Sequence, residues 1–163
     1  MKKVIIIGCP GSGKSTFAKK LEKVTKLPLY HLDMLFWNSD KTTVSKEVFL
    51  GRLQGILDCE KWIIDGNYAG TMQLRMEACD SIFFLDYQVE ICLSGIEERR
   101  GKPRSDMPWF ETENTDEEFI NFIKTYNENE RPKVMDLLKK YSSKNIIIFR
   151  SRGESETFLK NLK

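Results

Sequence analysis

The chain has 163 residues, which fits one domain and is long enough to bury a sizeable core. Hydrophobic residues at 40% with charged residues at 31% are the composition of an ordinary globular protein and exclude a fibrous or low-complexity class. A net charge of +2 argues against a nucleic-acid surface without closing that alternative, and no apolar run is long enough for a membrane span.

Lys3-Val4-Ile5-Ile6-Ile7 is a short β-branched run and predicts a buried parallel strand. It leads into Gly8-Cys9-Pro10-Gly11-Ser12-Gly13-Lys14-Ser15, followed by Thr16, which fits the phosphate-loop (Walker A) pattern G-x-x-x-x-G-K-[ST] without a mismatch. Beyond it Phe17, Ala18, Leu21 and Val24 recur at helical spacing, so the loop opens a helix, which ends before Pro28. The glycines free the backbone to turn its N–H groups onto an anion, and the helix N-terminus behind them adds positive potential. Residues 8–16 are therefore expected to cradle the phosphates of ATP. Lys14 is expected to reach the β- and γ-phosphates, and the Ser15 hydroxyl to ligate Mg²⁺.

Leu29 to Leu32 predicts a second strand ending in Asp33, and the aromatic stretch Met34 to Trp37 falls where a loop is expected. Ser45 is a natural N-cap for a helix to about Asp58. Trp62-Ile63-Ile64-Asp65-Gly66 predicts a third strand, about Met72 to Cys79 a short helix, and Ser81 to Asp86 a fourth strand. Val89 to Arg100 follows helical spacing, and 101–114 is a polar stretch broken by Pro103 and Pro108. Thr115-Asp116-Glu117-Glu118 predicts a helix start, with Phe119, Phe122, Ile123 and Tyr126 on its apolar side. Pro132 breaks or kinks that helix and Val134 to Tyr141 resumes it. Asn145 to Phe149 is the fifth strand, and Ser155 to Leu162 the closing helix. Strands alternating with helices predict a three-layer α/β/α fold around a five-stranded parallel sheet, with ligands bound beyond the carboxyl ends of the strands.

The chemistry-bearing residues gather at that edge. Asp65 ends an apolar strand, the position of a carboxylate that holds Mg²⁺ or orients Ser15; Asp86 has the same local look and competes for the role. Asp33, before Phe36-Trp37, is placed to accept a proton from a substrate hydroxyl. His31 reads as a core histidine rather than a catalytic one. Arg99, Arg100, Lys102 and Arg104 join a helix end to a polar loop, and the guanidinium fork suits phosphate oxygens. They predict a lid over 101–114 that stands open without an anion, its arginines lacking obvious partners. Arg99 and Arg152 are further nucleotide-side candidates; Arg75 and Arg131 are weaker ones on the acceptor side. The scattered cysteines (Cys9, Cys59, Cys79, Cys92) predict free thiols in a reducing cytoplasm, with Cys9 in a position open to oxidation.

With these residues in place, the phosphate loop, Trp62 to Gly66, Ile82 to Asp86 and Glu98-Arg99-Arg100-Gly101 resemble the adenylate kinase-like nucleoside monophosphate kinases. In that family an Asp-Gly pair ends the third strand, matched here by Asp65-Gly66, and lid arginines follow the fourth, matched approximately by Arg99 and Arg100. His31-Leu32-Asp33, Phe36-Trp37, Asp65-Gly66-Asn67-Tyr68 and Tyr126 to Pro132 more closely resemble the bacterial DNA topology modulation proteins. Asn67-Tyr68-Ala69 departs from the Phe-Pro-Arg that the adenylate kinases carry after Asp-Gly. The resemblance implies a small ATP·Mg²⁺-dependent kinase acting on a small acceptor, nucleotides and nucleosides among the candidates. A nucleotide-gated regulator acting on DNA topology through DNA or protein is the alternative.

Overall fold

A computed structural model describes residues 1–109 and 116–162. The strands are β1 (Lys3–Gly8), β2 (Leu29–His31), β3 (Trp62–Asp65), β4 (Ser81–Leu85) and β5 (Asn145–Phe149), all parallel, in the order β2-β3-β1-β4-β5. β1 is central because both of its faces are buried. Val4 and Ile6 turn to one side and Ile5 and Ile7 to the other, which divides the core into two layers.

The first layer packs α1 (Lys14–Thr25), α5 (Val89–Arg99), α6 (Glu117–Lys124), α7 (Tyr126–Asn129) and α9 (Arg152–Asn161) on the sheet through Phe17, Leu21, Cys92, Ile96, Ile123, Tyr126 and Leu159. The second packs α2 (Leu32–Phe36), α3 (Lys46–Leu57), α4 (Ala69–Ala78) and α8 (Arg131–Lys140) through Leu32, Phe49, Leu53, Met72, Met76, Val134 and Leu138. No helix among the described residues is long and apolar enough to cross a membrane.

Three local expectations are corrected. Met34 to Trp37 is not a loop: the second strand stops at His31 and α2 begins at Leu32, closed by the Trp37 amide donating to the Asp33 carbonyl at 3.0 Å. Packing decides here, because Phe36 sits edge-on to both Phe49 and Tyr68. The break near Pro132 falls earlier, at Thr125 and Glu130, and Pro132 occupies the first turn of α8, where its missing N–H costs nothing. Tyr126 therefore belongs to α7, and Phe122 is exposed rather than core. The helix start at Asp116 stands, its carboxylate accepting from the Glu118 amide, whereas Thr115 lies outside the described residues. The closing helix begins at Arg152, capped by the Ser151 hydroxyl.

Candidate active site

The phosphate loop runs from the C-terminal end of β1 into α1. Gly11 and Gly13 take φ values of +83° and +89°, a region L side chains avoid. Gly11 is also sterically fixed, since a methyl group there would come within 2.0 Å of the Cys92 carbonyl oxygen, whereas one on Gly13 would meet nothing within 4 Å and faces open space. Lys14 Nζ donates to the carbonyl oxygens of Gly8 at 2.9 Å and Cys9 at 3.0 Å, so the ammonium is folded back over its own loop. Burial lowers its pKa, opposed by the Asp65 carboxylate. Ser12 is buried, with no hydrogen-bond partner for its hydroxyl. Pro10 and Thr16 line the cleft. Cys9 is buried, at 2% exposure, rather than presented to solvent, and its thiol is hydrogen-bonded with the thiol of Cys92.

β3 lies directly beside β1 and puts Asp65 next to the loop. The Ser15 hydroxyl donates to Asp65 Oδ2 at 2.7 Å, and His31 Nδ1 lies 2.8 Å from the same oxygen. His31 is thus not a core histidine: its side chain, 12% exposed, is satisfied by a carboxylate of the site. Asp65 Oδ1 is buried without a hydrogen-bond partner. A free carboxylate lone pair beside a serine hydroxyl is a hard-oxygen donor set, and it fits Mg²⁺ or water bound to it. Asp86 is occupied otherwise. Arg131 donates to both of its carboxylate oxygens at 2.8 Å, and Arg150 donates to one of them, so Arg131 ties α8 to the end of β4 and does not face an acceptor.

Across the cleft, Asp33 on α2 accepts from the Tyr68 hydroxyl at 2.6 Å. Burial raises the Asp33 pKa, partly offset by that hydrogen bond, and the nearby Asp65 raises it further. Tyr68 follows Gly66 and Asn67, and the Asn67 side chain accepts from the Gly8 amide at 3.1 Å, joining this turn to the phosphate loop. The turn is held from behind by Arg75, which is fully buried and donates to the carbonyls of Gly66, Asn67 and Tyr68 and to Thr71 Oγ1. Burial lowers the Arg75 pKa to about 10. Arg75 is a scaffold, not an acceptor-side cation.

The irregular segment 101–109 lies over the phosphate loop rather than away from it. Lys19 donates to Ser105 Oγ at 2.7 Å, and Trp109 meets Trp37 edge-on with ring centres 5.7 Å apart. Arg104 donates to both oxygens of Asp106, at 3.2 and 2.6 Å, and Asp106 is only 4% exposed. Burial works to raise the Asp106 pKa, but hydrogen bonds from Arg104 and Ser15 outweigh it and hold the carboxyl well below the ordinary range. The single Ser15 proton therefore serves Asp65 or Asp106, one at a time. The lid arginines are not unpartnered: Arg100 donates to Glu97 at 2.7 Å, and the Arg99 guanidinium lies 5.9 Å from the Phe119 ring centre. Arg152 opens α9 and reaches Glu98 at 3.3 Å. Residues 110–114 of the expected lid lie outside the described residues.

These groups line a cleft of about 1160 Å³, room for a nucleotide and a second small molecule. The structure brings together Lys14, Ser15, Asp33, Asp65, Arg99, Arg100, Arg104 and Arg152 around it. Sequence reasoning missed Asp106, a polar residue in an irregular stretch, and Tyr68, whose role depends on a turn at φ +35° that no pattern announces.

No family model and no curated protein matches the chain. Among solved structures, the shikimate kinase from Acinetobacter baumannii in complex with shikimate superposes with a TM-score of 0.64 at 13% identity, over 99% of this chain and 90% of that one. A gluconokinase from Sinorhizobium meliloti 1021 gives 0.60 at 11% identity, over 99% and 89%. The shikimate kinase from Aquifex aeolicus gives 0.57 at 18% identity, over 98% and 92%. At such identities the likeness speaks for architecture alone: the chain has the five-stranded parallel fold of the small P-loop kinases.

Proposed function

We propose that this protein is a kinase that transfers the γ-phosphate of ATP·Mg²⁺ to a hydroxyl group of a small acceptor. The observation that carries this reading is Asp33. Its carboxylate faces the cleft opposite the phosphate loop, part-buried and held by Tyr68 at 2.6 Å, where a plain NTPase has no need of a second carboxylate. Its raised pKa makes it a better proton acceptor than a solvated aspartate.

In this reading the backbone amides of residues 8–15 hold the α- and β-phosphates. Lys14 exchanges the carbonyls of Gly8 and Cys9 for phosphate oxygens. Arg104 exchanges Asp106 for the transferring group, with Arg99 and Arg100 beside it. Ser15 and Asp65 would hold Mg²⁺, which when bound would supply positive charge to the phosphate oxygens. Asp33 takes the acceptor proton as the hydroxyl oxygen attacks. Segment 101–109 keeps water from the phosphoryl group, and Arg152 lies on the nucleotide side.

The test is ADP release from ATP·Mg²⁺ over a panel of nucleosides, nucleotides and sugars. Acceptor-dependent ADP that disappears in Lys14→Ala and in Asp33→Asn is expected. Turnover that is independent of any acceptor and indifferent to Asp33 would show a plain NTPase instead.

A further inference from the structure

The two ends of the cleft differ in charge. The phosphate-loop end carries Lys14, Arg99 and Arg152, whereas the acceptor end is walled by Trp37, Trp109 and Tyr68 around the carboxylate of Asp33. The cations near that second end are engaged. Arg75 lies behind the 66–68 turn with its guanidinium given to backbone carbonyls, and Arg104 is paired with Asp106. Lys41 holds its ammonium 5.2 Å from the centre of the Trp109 ring. Residues 110–115, Phe-Glu-Thr-Glu-Asn-Thr, bring no lysine or arginine by sequence.

An anionic acceptor needs a guanidinium of its own, and among the described residues Arg75 is given to the 66–68 turn and Arg104 to Asp106 and, in the kinase reading, to the transferring phosphoryl group. A phosphomonoester or carboxylate is ordinarily held by a guanidinium fork, and a buried carboxylate next to it adds repulsion. Burial and Asp65 already raise the Asp33 pKa against Tyr68, Arg104 and Lys14, which lower it, and a further negative group beside the two carboxylates would oppose the ionised form that accepts a proton. Indole faces, by contrast, suit an uncharged ring, and a single carboxylate suits a hydroxyl.

We propose that the acceptor is an uncharged ring compound with a free hydroxyl, a nucleoside or a neutral sugar, which packs its ring against Trp37, with Trp109 set edge-on beside it, and sets its hydroxyl on Asp33. This rests on the kinase reading above. In the step, the hydroxyl oxygen forms a bond to the γ-phosphorus and the bond from that phosphorus to the β,γ-bridging oxygen breaks. ADP leaves with the electron pair, and the hydroxyl proton moves to Asp33.

The experiment uses the full chain with Mg²⁺ and a non-hydrolysable ATP analogue. Tryptophan fluorescence and calorimetry follow additions of neutral nucleosides, neutral sugars, nucleoside monophosphates, and the carboxylates gluconate and shikimate. One neutral arm is expected to bind and change the indole emission, and to separate nucleoside from sugar. Adding a phosphate or carboxylate to that compound is expected to weaken binding at least tenfold. Trp37→Leu is expected to weaken the neutral ligand tenfold with analogue affinity unchanged. Tighter binding of the monophosphates or carboxylates, or no neutral ligand bound at all, overturns the proposal. In a parallel assay with ATP·Mg²⁺ in place of the analogue, ADP release driven by an anionic acceptor and by no neutral one would sink it while leaving the kinase reading standing; no acceptor-driven ADP with any compound would sink both.

Discussion

Asp33 is held between two opposing influences, burial raising its pKa and the Tyr68 hydroxyl lowering it. As the proposed base it must be ionised, so the transfer rate should fall as the pH drops through its folded pKa, at a pH above the ordinary aspartate value of about 3.9. Tyr68→Phe removes the lowering contribution, so the acid limb of the kcat profile should move to higher pH; a limb that moves down or stays would count against Asp33 as the base. Asp33→Asn should cost about 10² to 10⁴ in kcat. Because its folded pKa is raised, ionised Asp33 disfavours the folded state above the unfolded pKa. The Asn variant should therefore melt no lower than the parent at pH 7, an outcome that thermal unfolding checks. Asp65 and Asp86 should separate in the same way. Asp65→Asn should weaken Mg²⁺-dependent nucleotide binding with little effect on stability. Asp86→Asn should leave binding largely intact and cost about 2 kcal/mol of stability. That is below the figure for a fully buried pair, because Arg131 and Arg150 both reach solvent. Calorimetry and denaturant unfolding on the pair of variants decide it, and the reverse order would show the wrong strand was assigned to the metal.

At the scale of elements, two close contacts set the site. α5 touches the phosphate loop where glycine meets glycine: a methyl group on Gly95 would come within 2.0 Å of the Gly11 carbonyl oxygen. Gly95→Ala must push α5 or the loop aside, and overpacking of this kind costs about 1–3 kcal/mol. Nucleotide affinity should fall about tenfold or more while the circular dichroism of the fold persists; unchanged affinity would mean the loop yields freely. The second contact is Arg75 behind the 66–68 turn. Arg75→Met leaves the carbonyls of Gly66, Asn67 and Tyr68 without their donor, at about 3 kcal/mol of stability. In a variant that remains folded, acceptor binding should suffer more than ATP binding, because Tyr68 sits on that turn. Equal losses for both ligands would make Arg75 a general stabiliser only.

Which elements were legible follows from their physics. β1, β3, β4 and β5 are apolar runs ended by glycine or a charge, and the phosphate loop announces itself by pattern. α2 was not legible, because five residues carry too little periodicity and the packing of Phe36 on Phe49 and Tyr68 decides their conformation. His31 read as core because strand alternation says which face a residue takes but not what waits on it, here Asp65. Among the described residues Arg100 and Arg104 pair with partners local in sequence, Glu97 and Asp106, which a charge cluster read by composition does not reveal.

For the whole molecule, the parallel sheet explains why residues as distant as Lys14, Asp33, Asp65, Arg104 and Arg152 share one cleft. Each follows or ends a strand whose carboxyl end points the same way, or lies in the segment that folds back over that edge. The same geometry favours phosphate transfer over hydrolysis, since a hydrolase needs only half of this cleft. The direct measurement is phosphorus NMR of ATP·Mg²⁺ with the intact protein and a neutral hydroxyl acceptor, following the fate of the γ-phosphorus. In a kinase its signal moves to a phosphate monoester in step with ADP. A γ-phosphorus recovered only as inorganic phosphate, whatever acceptor is present, would contradict the kinase reading.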